Sequence, residues 1–192
     1  RSNLVNATIV STDCTEIAEI SQKLGALVPF IRPSEYATDE CPDFPVMHHA
    51  LVELELYFKQ TIDLMVLLRP TSPLRPNGLI EKGIEIITKN PDSTSVRTVA
   101  KSQEHPYRQW IEDGNFITGF CEDANESYNI PRQKLPTVYF QTGDLELIKR
   151  ETLEDGSVSG DRVMPLFVDS DLVVDIDEPK DLDLAKERIK IN

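Results

Sequence analysis

The chain has 192 residues, an apolar fraction of 40% and a formal net charge of −13. That length and composition are typical of one globular domain with its own core, and they exclude a disordered chain. The acidic balance, with no lysine- and arginine-rich stripe to offset it, excludes nucleic acid and anionic membranes as general partners. No apolar run approaches the length of a membrane span, and three widely spaced cysteines fit a reducing cytosol.

Strand-like and helix-like patterns alternate along the first half of the chain. Short apolar runs predict strands at residues 6–13, 26–32, 63–68 and 93–100. Apolar residues at helical spacing predict a helix after each of the first three strands. The inward faces of these helices are Ile17, Ile20 and Leu24; Met47, Ala50, Leu51, Leu54 and Phe58; and Leu79, Ile80, Ile84 and Ile87. Strands that alternate with helices predict an α/β sheet with a parallel centre.

The second half departs from this alternation. Asp113-Gly114 between two apolar runs predicts a β-hairpin. Residues 120–136 are polar enough to be a loop, and residues 137–150 predict one or two strands. A strand followed by a helix over residues 172–190 resumes the α/β pattern. No repeat or low-complexity tract divides the chain, so we expect a single domain over residues 1–192.

Three polar segments are candidates for a ligand site, because ligands of open α/β sheets bind outside the carboxyl ends of the strands. They are residues 11–13, the turn 69–75 and residues 175–177. In the turn, of sequence RPTSPLR, two prolines stiffen the backbone. Its two hydroxyls and two guanidiniums are suited to a phosphorylated ligand. A rigid connection with exposed arginines fits the same residues equally well.

Asp175 and Asp177 follow a short apolar run at the end of a predicted strand. Residues two apart on a strand point to the same side. Two such carboxylates suit Mg²⁺, which takes one or two of them together with substrate phosphates. The carboxylates that follow, Glu178, Asp181 and Asp183, fit the first turn of a helix, where acids favour the helix dipole. The alternative for the whole acidic run is a solvated helix start.

Five blocks in order carry a resemblance to a known family. They are IVSTD at 9–13, FIRPSEYATD at 30–39, LLRPTSPLR at 67–75, PRQKLP at 131–136 and VDIDEPKDLDLA at 174–185. Together they resemble the cytidylyltransferases that activate sialic acid and related nonulosonic sugar acids. The resemblance implies a three-layer, mixed-sheet α/β fold like that of nucleotide-diphosphosugar transferases, and a cytoplasmic homodimer. It also implies Mg²⁺-dependent transfer of CMP from CTP to a 2-keto sugar acid, with release of pyrophosphate.

The resemblance also implies roles for individual residues. It makes Asp175 and Asp177 the metal-binding and catalytic pair. The implied nucleotide-binding residues are Arg32, Thr71 and Ser72. The implied substrate-binding residues are Arg69, Arg108, Arg132, Gln141 and Thr142. In such a site a sugar hydroxyl attacks the α-phosphorus of CTP, and the protein mainly positions the reactants.

The sequence departs from the family pattern in three places. The resemblance begins after the family's first strand and its basic, glycine-containing phosphate loop, so we expect residues 1–192 alone to bind CTP weakly. Arg69 stands where the family usually has glutamine, and the family usually has a small hydroxyl residue near Asp43. Residues 140–146 of this chain read FQTGDLE. There the family often has a basic residue, then Asn-Gly, and then a tyrosine at the position of Glu146.

These departures concern the sugar side of the site. We therefore expect an acceptor other than N-acetylneuraminate, such as an amino- or deoxy-modified 2-keto sugar acid; if residues 140–146 face away from the sugar, the changes are neutral. The polar segment of about residues 105–165 is the candidate dimer arm and sugar-site insertion. The alternatives are a nucleotidyltransferase for 3-deoxy-manno-octulosonate or a phosphonate, and a non-catalytic nucleotide-binding homologue.

Overall fold

The computed structural model describes residues 2–121 and 126–191. The helices are α1 (Thr15–Lys23), α2 (Asp43–Phe58), α3 (Leu79–Lys89), α4 (Arg150–Glu154) and α5 (Pro179–Ile191). The strands are β1 (Leu64–Leu67), β2 (Ser95–Lys101), β3 (Trp110–Asp113), β4 (Phe116–Gly119), β5 (Tyr139–Lys149) and β6 (Val163–Phe167). Short 3-10 helices lie at Ser34–Tyr36, Pro106–Arg108, Ser127–Asn129, Arg132–Lys134 and Ser170–Leu172.

Four strands form a mixed sheet in the order β1-β5-β2-β6. Strand β5 is antiparallel to both of its neighbours, whereas β2 and β6 are parallel. The mixed sheet is therefore confirmed, but a parallel centre is wrong. The reason is that the chain leaves β2 and enters β5 at the same end, where Lys101 pairs with Tyr139. Two strands joined at one end must run in opposite directions.

Helices cover both faces of this sheet, which gives the three layers that were expected. Side chains of β5 alternate between two cores. One core includes Leu145 and Leu147 and packs on α3; the other includes Ile148 and packs on α2 and α4. The first core contains Leu79, Ile87, Val96, Leu145, Leu147 and Leu166, and the second contains Met47, Leu51, Ile148 and Leu153. The predicted inward faces of α2 and α3 supply most of the helical members.

Several predicted elements differ in the structure. Residues 6–13 and 26–32 pair through a single parallel bridge, Ile9 to Leu27, and form no longer ladder among the described residues. Apolar residues at the predicted inward face of α1, Ile17 and Ile20 among them, are exposed. Strand β6 was missed, because Pro165 interrupts its pattern; proline is tolerated here at the sheet's edge.

The strand predicted at residues 172–177 is wrong. Ser170–Leu172 is a 3-10 helix, and the residues after it lie outside the sheet. The amide of Ile176 donates to the carbonyl of Thr71 at 2.9 Å, so this segment pairs with a turn and not with a strand. Its buried residue, Val174, explains the apolar run that resembled a strand.

The predicted hairpin is confirmed as β3 and β4, with Gly114 in the left-handed conformation at a φ of +61°. The expected 105–165 segment is divided in the structure. Strand β5, helix α4 and the start of β6 belong to the main sheet region, whereas the hairpin forms its own two-stranded sheet. Residues 122–125 of the predicted loop, including Asn125 of its Asn-Glu-Ser sequence, lie outside the described residues. No helix in the described ranges is long and apolar enough to cross a bilayer.

Candidate active site

The turn 69–75 is fixed against strand β5. Its backbone closes through the amide of Ser72, which donates to the carbonyl of Arg69 at 3.1 Å. The guanidinium of Arg75 also donates to that carbonyl, and its Nε donates to the carbonyl of Asp144 at 2.5 Å. Burial lowers the pKa of Arg75 below its ordinary value. Arg75 therefore holds the turn on the sheet and is only partly exposed, whereas the structural interpretation of the turn predicted exposed arginines.

Ser72 lies at the closest approach between the turn and β5. It is fully buried, and among the described residues its hydroxyl has no hydrogen-bond partner. A Cβ added to Gly143 would overlap the Ser72 Oγ and lie 3.2 Å from Cδ of Arg69. The glycine is thus required by space and not by backbone conformation. The nucleotide contact expected of Ser72 stays a prediction.

The turn also contacts the segment that carries the predicted metal ligands. The bond from the amide of Ile176 to the carbonyl of Thr71 brings Asp175 and Asp177 beside the exposed Thr71. Both carboxylates are exposed, and neither has a hydrogen bond or an ion pair within the part of the chain that the structure describes. The sequence predicts that these carboxylates lie near the turn, because both segments follow predicted strands. In the structure, a backbone hydrogen bond brings them together instead.

The other carboxylates of the acidic run have partners. Oδ2 of Asp181 accepts from the amides of Asp177 and Glu178, at 3.2 and 2.9 Å. Glu178 pairs with Lys180 at 2.6 Å, and Asp183 pairs with Lys186 at 3.2 Å. The last three carboxylates thus belong to the start of α5, as predicted for Glu178, Asp181 and Asp183. Among the described residues, the side chains of the first two aspartates have no partner.

The donor set at Asp175 and Asp177 fits a hard cation that brings further ligands with it. Over residues 2–121 and 126–191, no group of three or more His, Cys, Asp or Glu side chains is arranged to hold a metal ion. Mg²⁺ is commonly held by one or two carboxylates plus substrate phosphates and water. Two unpartnered carboxylates next to a hydroxyl-bearing turn match that requirement and fit a structural, all-protein cage poorly.

A second group of charges includes Arg69, the first residue of the turn, and we call it the arginine–carboxylate network. It consists of Asp43, Arg69, Arg97, Gln141 and Glu146. Arg69 donates from both Nη atoms to Asp43 and from Nη2 to Glu146 at 3.1 Å. Arg97 donates to Glu146 at 2.5 Å and to Gln141 at 2.6 Å, and Gln141 donates to Glu146 at 3.3 Å. Two positive and two negative charges are thereby balanced.

Burial differs across the network. Glu146 is only 2% exposed, whereas the side chains of Arg69 and Asp43 are 30% and 40% exposed. The hydrogen bond to Asp43 raises the pKa of Arg69 above its ordinary value. Thr142 is also buried and donates its hydroxyl to Asp144 at 2.7 Å. The substrate contacts expected of Arg69, Gln141 and Thr142 stay predictions, with these internal bonds already in place.

Sequence reasoning missed Arg97 and the pairing of Glu146. A partial signal was present for Glu146, which lies between Leu145 and Leu147, whereas Arg97 lies in a strand with several other polar residues. Charged residues are almost never fully buried unless they are paired. A buried carboxylate in β5 therefore required a cation from a neighbouring strand, and Arg97 opposes Glu146 in the register of β2 and β5.

Two of the predicted substrate-binding arginines share one cavity. Arg108 and Arg132 are far apart in sequence, yet both line a cavity of about 230 Å³. Its other lining residues are Gln103, Glu104, His105 and Leu135. Arg108 donates to the carbonyl of Ile130 at 3.2 Å, and both guanidiniums are exposed. The cavity is therefore lined by two cations that can receive an anion.

Arg32 lies in a third group, with the predicted polar segment 11–13. Its amide donates to the carbonyl of Thr12 at 2.9 Å, and its Nη2 is 4.0 Å from Asp13. Its Nε is buried and has no partner among the described residues. The side chain thus retains donor capacity, as expected of a nucleotide-binding arginine, and that role stays a prediction.

Comparisons with known proteins agree on one kind of relative. No protein-family model matches the chain. It is 31% identical over 193 residues to the post-translational flagellin modification protein B of Campylobacter coli, an alignment covering 98% of this chain and 79% of that protein. It is 30% identical over 191 residues to the CMP-N,N'-diacetyllegionaminic acid synthase of Campylobacter jejuni, covering 99% of this chain and 80% of the relative.

A solved structure supports the fold independently. The structure of CMP:2-keto-3-deoxy-manno-octonic acid synthetase complexed with CTP superposes with a TM-score of 0.67. The match covers 99% of this chain and 83% of that one, at 11% sequence identity. At that identity the similarity shows a shared nucleotidyltransferase fold and nothing finer.

Proposed function

The chain belongs to the family of nonulosonic acid cytidylyltransferases, and we propose that it transfers CMP from CTP to a nonulosonic acid, with release of pyrophosphate. The observation that carries this proposal is the placement of two unpartnered carboxylates, Asp175 and Asp177, beside the turn that bears Thr71. The turn and the acidic segment are also two of the five blocks of the family resemblance.

In the proposed reaction, the anomeric hydroxyl oxygen of the acceptor attacks the α-phosphorus of CTP. A new phosphorus–oxygen bond forms, the bond to pyrophosphate breaks, and the hydroxyl proton is lost. Asp175 and Asp177 would hold Mg²⁺, which when bound neutralises charge on the phosphates. Thr71 lies beside this pair, and Arg32 has an unpartnered Nε with which to meet the nucleotide. The protein's main contribution is to hold the two substrates in a reactive geometry.

The acceptor's carboxylate requires cations of its own, since the chain as a whole is strongly acidic. We assign this contact to Arg108 and Arg132, whose shared cavity offers two exposed guanidiniums. Arginine binds carboxylates through a planar fork of donors. Arg69 is less suited to the role, because its terminal nitrogens already donate to Asp43 and Glu146.

For the acceptor itself we propose a deoxy, acylamino-substituted nonulosonic acid, similar to the one named for the Campylobacter jejuni relative. Two observations support this choice. The relative is 30% identical over nearly the whole chain. The departures from the family pattern also concern residues expected to contact the sugar, and two of these residues, Arg69 and Glu146, are charged.

We further propose a cytoplasmic homodimer. The hairpin and the residue after it carry exposed apolar side chains on both faces, which we call the hairpin surface: Trp110, Ile111, Phe116, Ile117 and Phe120. Phe116 is 77% exposed. Exposed apolar side chains concentrated on a short hairpin are typical of a protein interface. Three free cysteines support a reducing compartment.

Sedimentation of the full gene product tests the dimer. We expect twice the monomer mass for the wild type and the monomer mass for the double variant Phe116→Glu/Ile117→Glu. Leu24→Glu is the matched control, because Leu24 is apolar and 78% exposed but lies at the C-terminal end of α1, outside the hairpin. A wild type that sediments as a monomer at micromolar concentration contradicts the proposal.

The catalytic proposal is tested by incubating the full gene product with CTP, Mg²⁺ and a panel of acceptors. The panel contains N,N'-diacetyllegionaminic acid, N-acetylneuraminic acid, 3-deoxy-manno-octulosonate and a phosphonate. We expect acceptor-dependent pyrophosphate release, highest with the first. If calorimetry detects CTP binding but no acceptor yields pyrophosphate, the chain is a nucleotide-binding homologue without turnover.

A further inference from the structure

The arginine–carboxylate network joins positions at which the sequence departs from its family's pattern. Arg69 and Glu146 are separated by 77 residues and Asp43 and Arg69 by 26, yet direct hydrogen bonds connect all three side chains. In the sequence, Arg69 and Glu146 are separate differences, and a third lies near Asp43. The structure connects these positions, and the buried Glu146 in particular requires a cation such as Arg69 or Arg97.

Stability alone does not account for this network. Burying an ion pair removes two charges from water, so a well-packed apolar replacement is often neutral or more stable. Glu146 is nevertheless buried and held by Arg69 and Arg97 at 3.1 and 2.5 Å. The opposite end of the network, at Asp43 and Arg69, remains partly open to solvent. A network that is fixed at its buried end, Glu146, and partly exposed at Asp43 and Arg69 can present donors and acceptors to a ligand.

The open end is connected to the proposed reaction centre through the turn. Arg69 begins the turn, and its carbonyl accepts bonds from Ser72 and Arg75 that fix its backbone. Two residues along the chain, the carbonyl of Thr71 accepts from the amide of Ile176, which lies between Asp175 and Asp177. An acceptor whose anomeric oxygen is directed to that centre can therefore extend along the turn toward Asp43 and Arg69.

The chemistry of the open end selects the kind of substituent. An additional anion would compete with Asp43 and Glu146 for Arg69, and a cation would compete with Arg69 for Asp43. A secondary amide breaks neither bond: its N–H can donate to a free lone pair of Asp43, and its carbonyl can accept from a remaining N–H of Arg69. A hydroxyl offers one atom for the same two partners and makes the contact less completely.

We propose, on the basis of the proposed function, that Asp43 and Arg69 are specificity-determining residues that recognise an acylamino substituent of the acceptor. Glu146 and Arg97 are positioning residues: Glu146 binds and orients Arg69, and Arg97 holds Glu146 in place. The unit distinguishes an acylamino group from a hydroxyl at one position of an otherwise identical nonulosonic acid.

The test compares two acceptors on the same preparation of the full gene product. One is N,N'-diacetyllegionaminic acid, and the other is its analogue with a hydroxyl in place of one acylamino group. The ratio of their kcat/KM values does not depend on the fraction of protein that is folded. We expect the wild type to favour the diacylamino acceptor by about 10- to 100-fold, as an unpaired polar group in a specificity site commonly costs.

Arg69→Gln and Asp43→Ser should each lower this ratio by roughly tenfold, and the double variant should lower it little further, because both residues serve one contact. Asp43→Asn is the variant least able to disturb folding, since Asp43 is partly exposed at the start of α2, and it should lower the ratio in the same direction. Glu85→Gln, in the exposed pair with Lys89, is the matched control and should leave the ratio unchanged.

The outcomes separate the two proposals. A wild type that is active but has a ratio near one overturns the specificity assignment and leaves the transferase function intact. A ratio that is unchanged in all four network variants does the same. A wild type that forms no CMP-sugar from either acceptor, while binding CTP, overturns the proposed function and with it this inference. A ratio that falls in the network variants and not in the control supports both.

Discussion

Two pairs of carboxylates that neighbour the 69–75 turn have opposite surroundings in the fold. Asp175 and Asp177 are exposed, and their carboxylates have no partner among the described residues. Asp43 and Glu146 are bound by arginines from the turn and from β2. The same functional group is thus left available in one pair and held by ion pairs in the other.

The difference follows from solvation. An exposed carboxylate keeps its water and can remain unpaired at little cost, so Asp175 and Asp177 stay free to meet a cation. A carboxylate as buried as Glu146 would lose several kcal/mol without partners, roughly the desolvation penalty of an ion in a protein interior. The available pair is therefore expected to act on the nucleotide, and the pair held by arginines to shape the site.

The largest effect is expected from the unpartnered pair. Asp175→Asn and Asp177→Asn should each reduce CMP transfer by about 100-fold or more, since even the outer partners of a metal ligand commonly contribute 10- to 100-fold. Asp183→Asn, which changes a carboxylate already paired with Lys186, is the matched control and should retain activity. Pyrophosphate release from the full gene product is the measurement. Equal loss from all three would show that the acidic run has been divided wrongly.

Removing the buried carboxylate of Glu146 should lower the stability of the fold. Glu146→Ala removes the shared partner of Arg69 and Arg97 and should cost about 3 to 5 kcal/mol of unfolding free energy, the usual result of breaking a buried pair from one side. Urea denaturation measures it. Glu85→Ala, in an exposed pair, should leave the denaturation midpoint where it is. If the two variants shift the midpoint equally, Glu146 is not buried as described.

A smaller loss is expected where the turn meets β5. Gly143→Ala places a methyl group against the Ser72 hydroxyl and should cost about 1 to 3 kcal/mol, as overpacking commonly does. Adding Ser72→Ala removes the closest atom and leaves the new Cβ 3.4 Å from the Cβ of residue 72 and 3.2 Å from Cδ of the flexible Arg69 side chain, so the double variant should regain most of the loss. Thermal unfolding of the three variants gives the comparison. An additive double variant would contradict the contact.

The smallest effect is expected at Asp181, whose carboxylate is bound by backbone amides and not by an arginine. Asp181→Ala removes the acceptor of two backbone amides at the start of α5 and should lower the unfolding free energy by about 0.5 to 2 kcal/mol. Asp181→Asn keeps an oxygen in place and should lose less. Because one of the amides belongs to Asp177, the alanine variant should also raise the KM for CTP; a KM unchanged in both variants would separate the cap from the site.

Sequence reasoning succeeded where the information is local. The faces of α2 and α3 follow from the spacing of Met47, Leu51, Leu79 and Ile87, all of which are buried. It also succeeded in placing the turn and the acidic pair together, although the expected strand is absent. A buried, β-branched run such as Val173-Val174 has the composition of a strand, and only a partner strand can make it one.

The network could not be predicted in the same way. Its members come from α2, the turn, β2 and β5, and nothing in the neighbourhood of any one of them names the others. From the sequence, Glu146 is a charge at a position where the family usually has a tyrosine. The structure adds that Arg69 and Arg97 neutralise this charge and hold it by hydrogen bonds.

Calorimetric titration of CTP into the full gene product, with and without Mg²⁺, tests the contrast between the two carboxylate groups most directly. In the wild type, Mg²⁺ should strengthen CTP binding roughly tenfold or more, within the usual range of coupling between two ligands. Asp177→Asn should abolish the enhancement, whereas Glu146→Gln should retain it. An enhancement that persists in Asp177→Asn, or disappears equally in Glu146→Gln, would contradict the assignment of the unpartnered pair to the nucleotide.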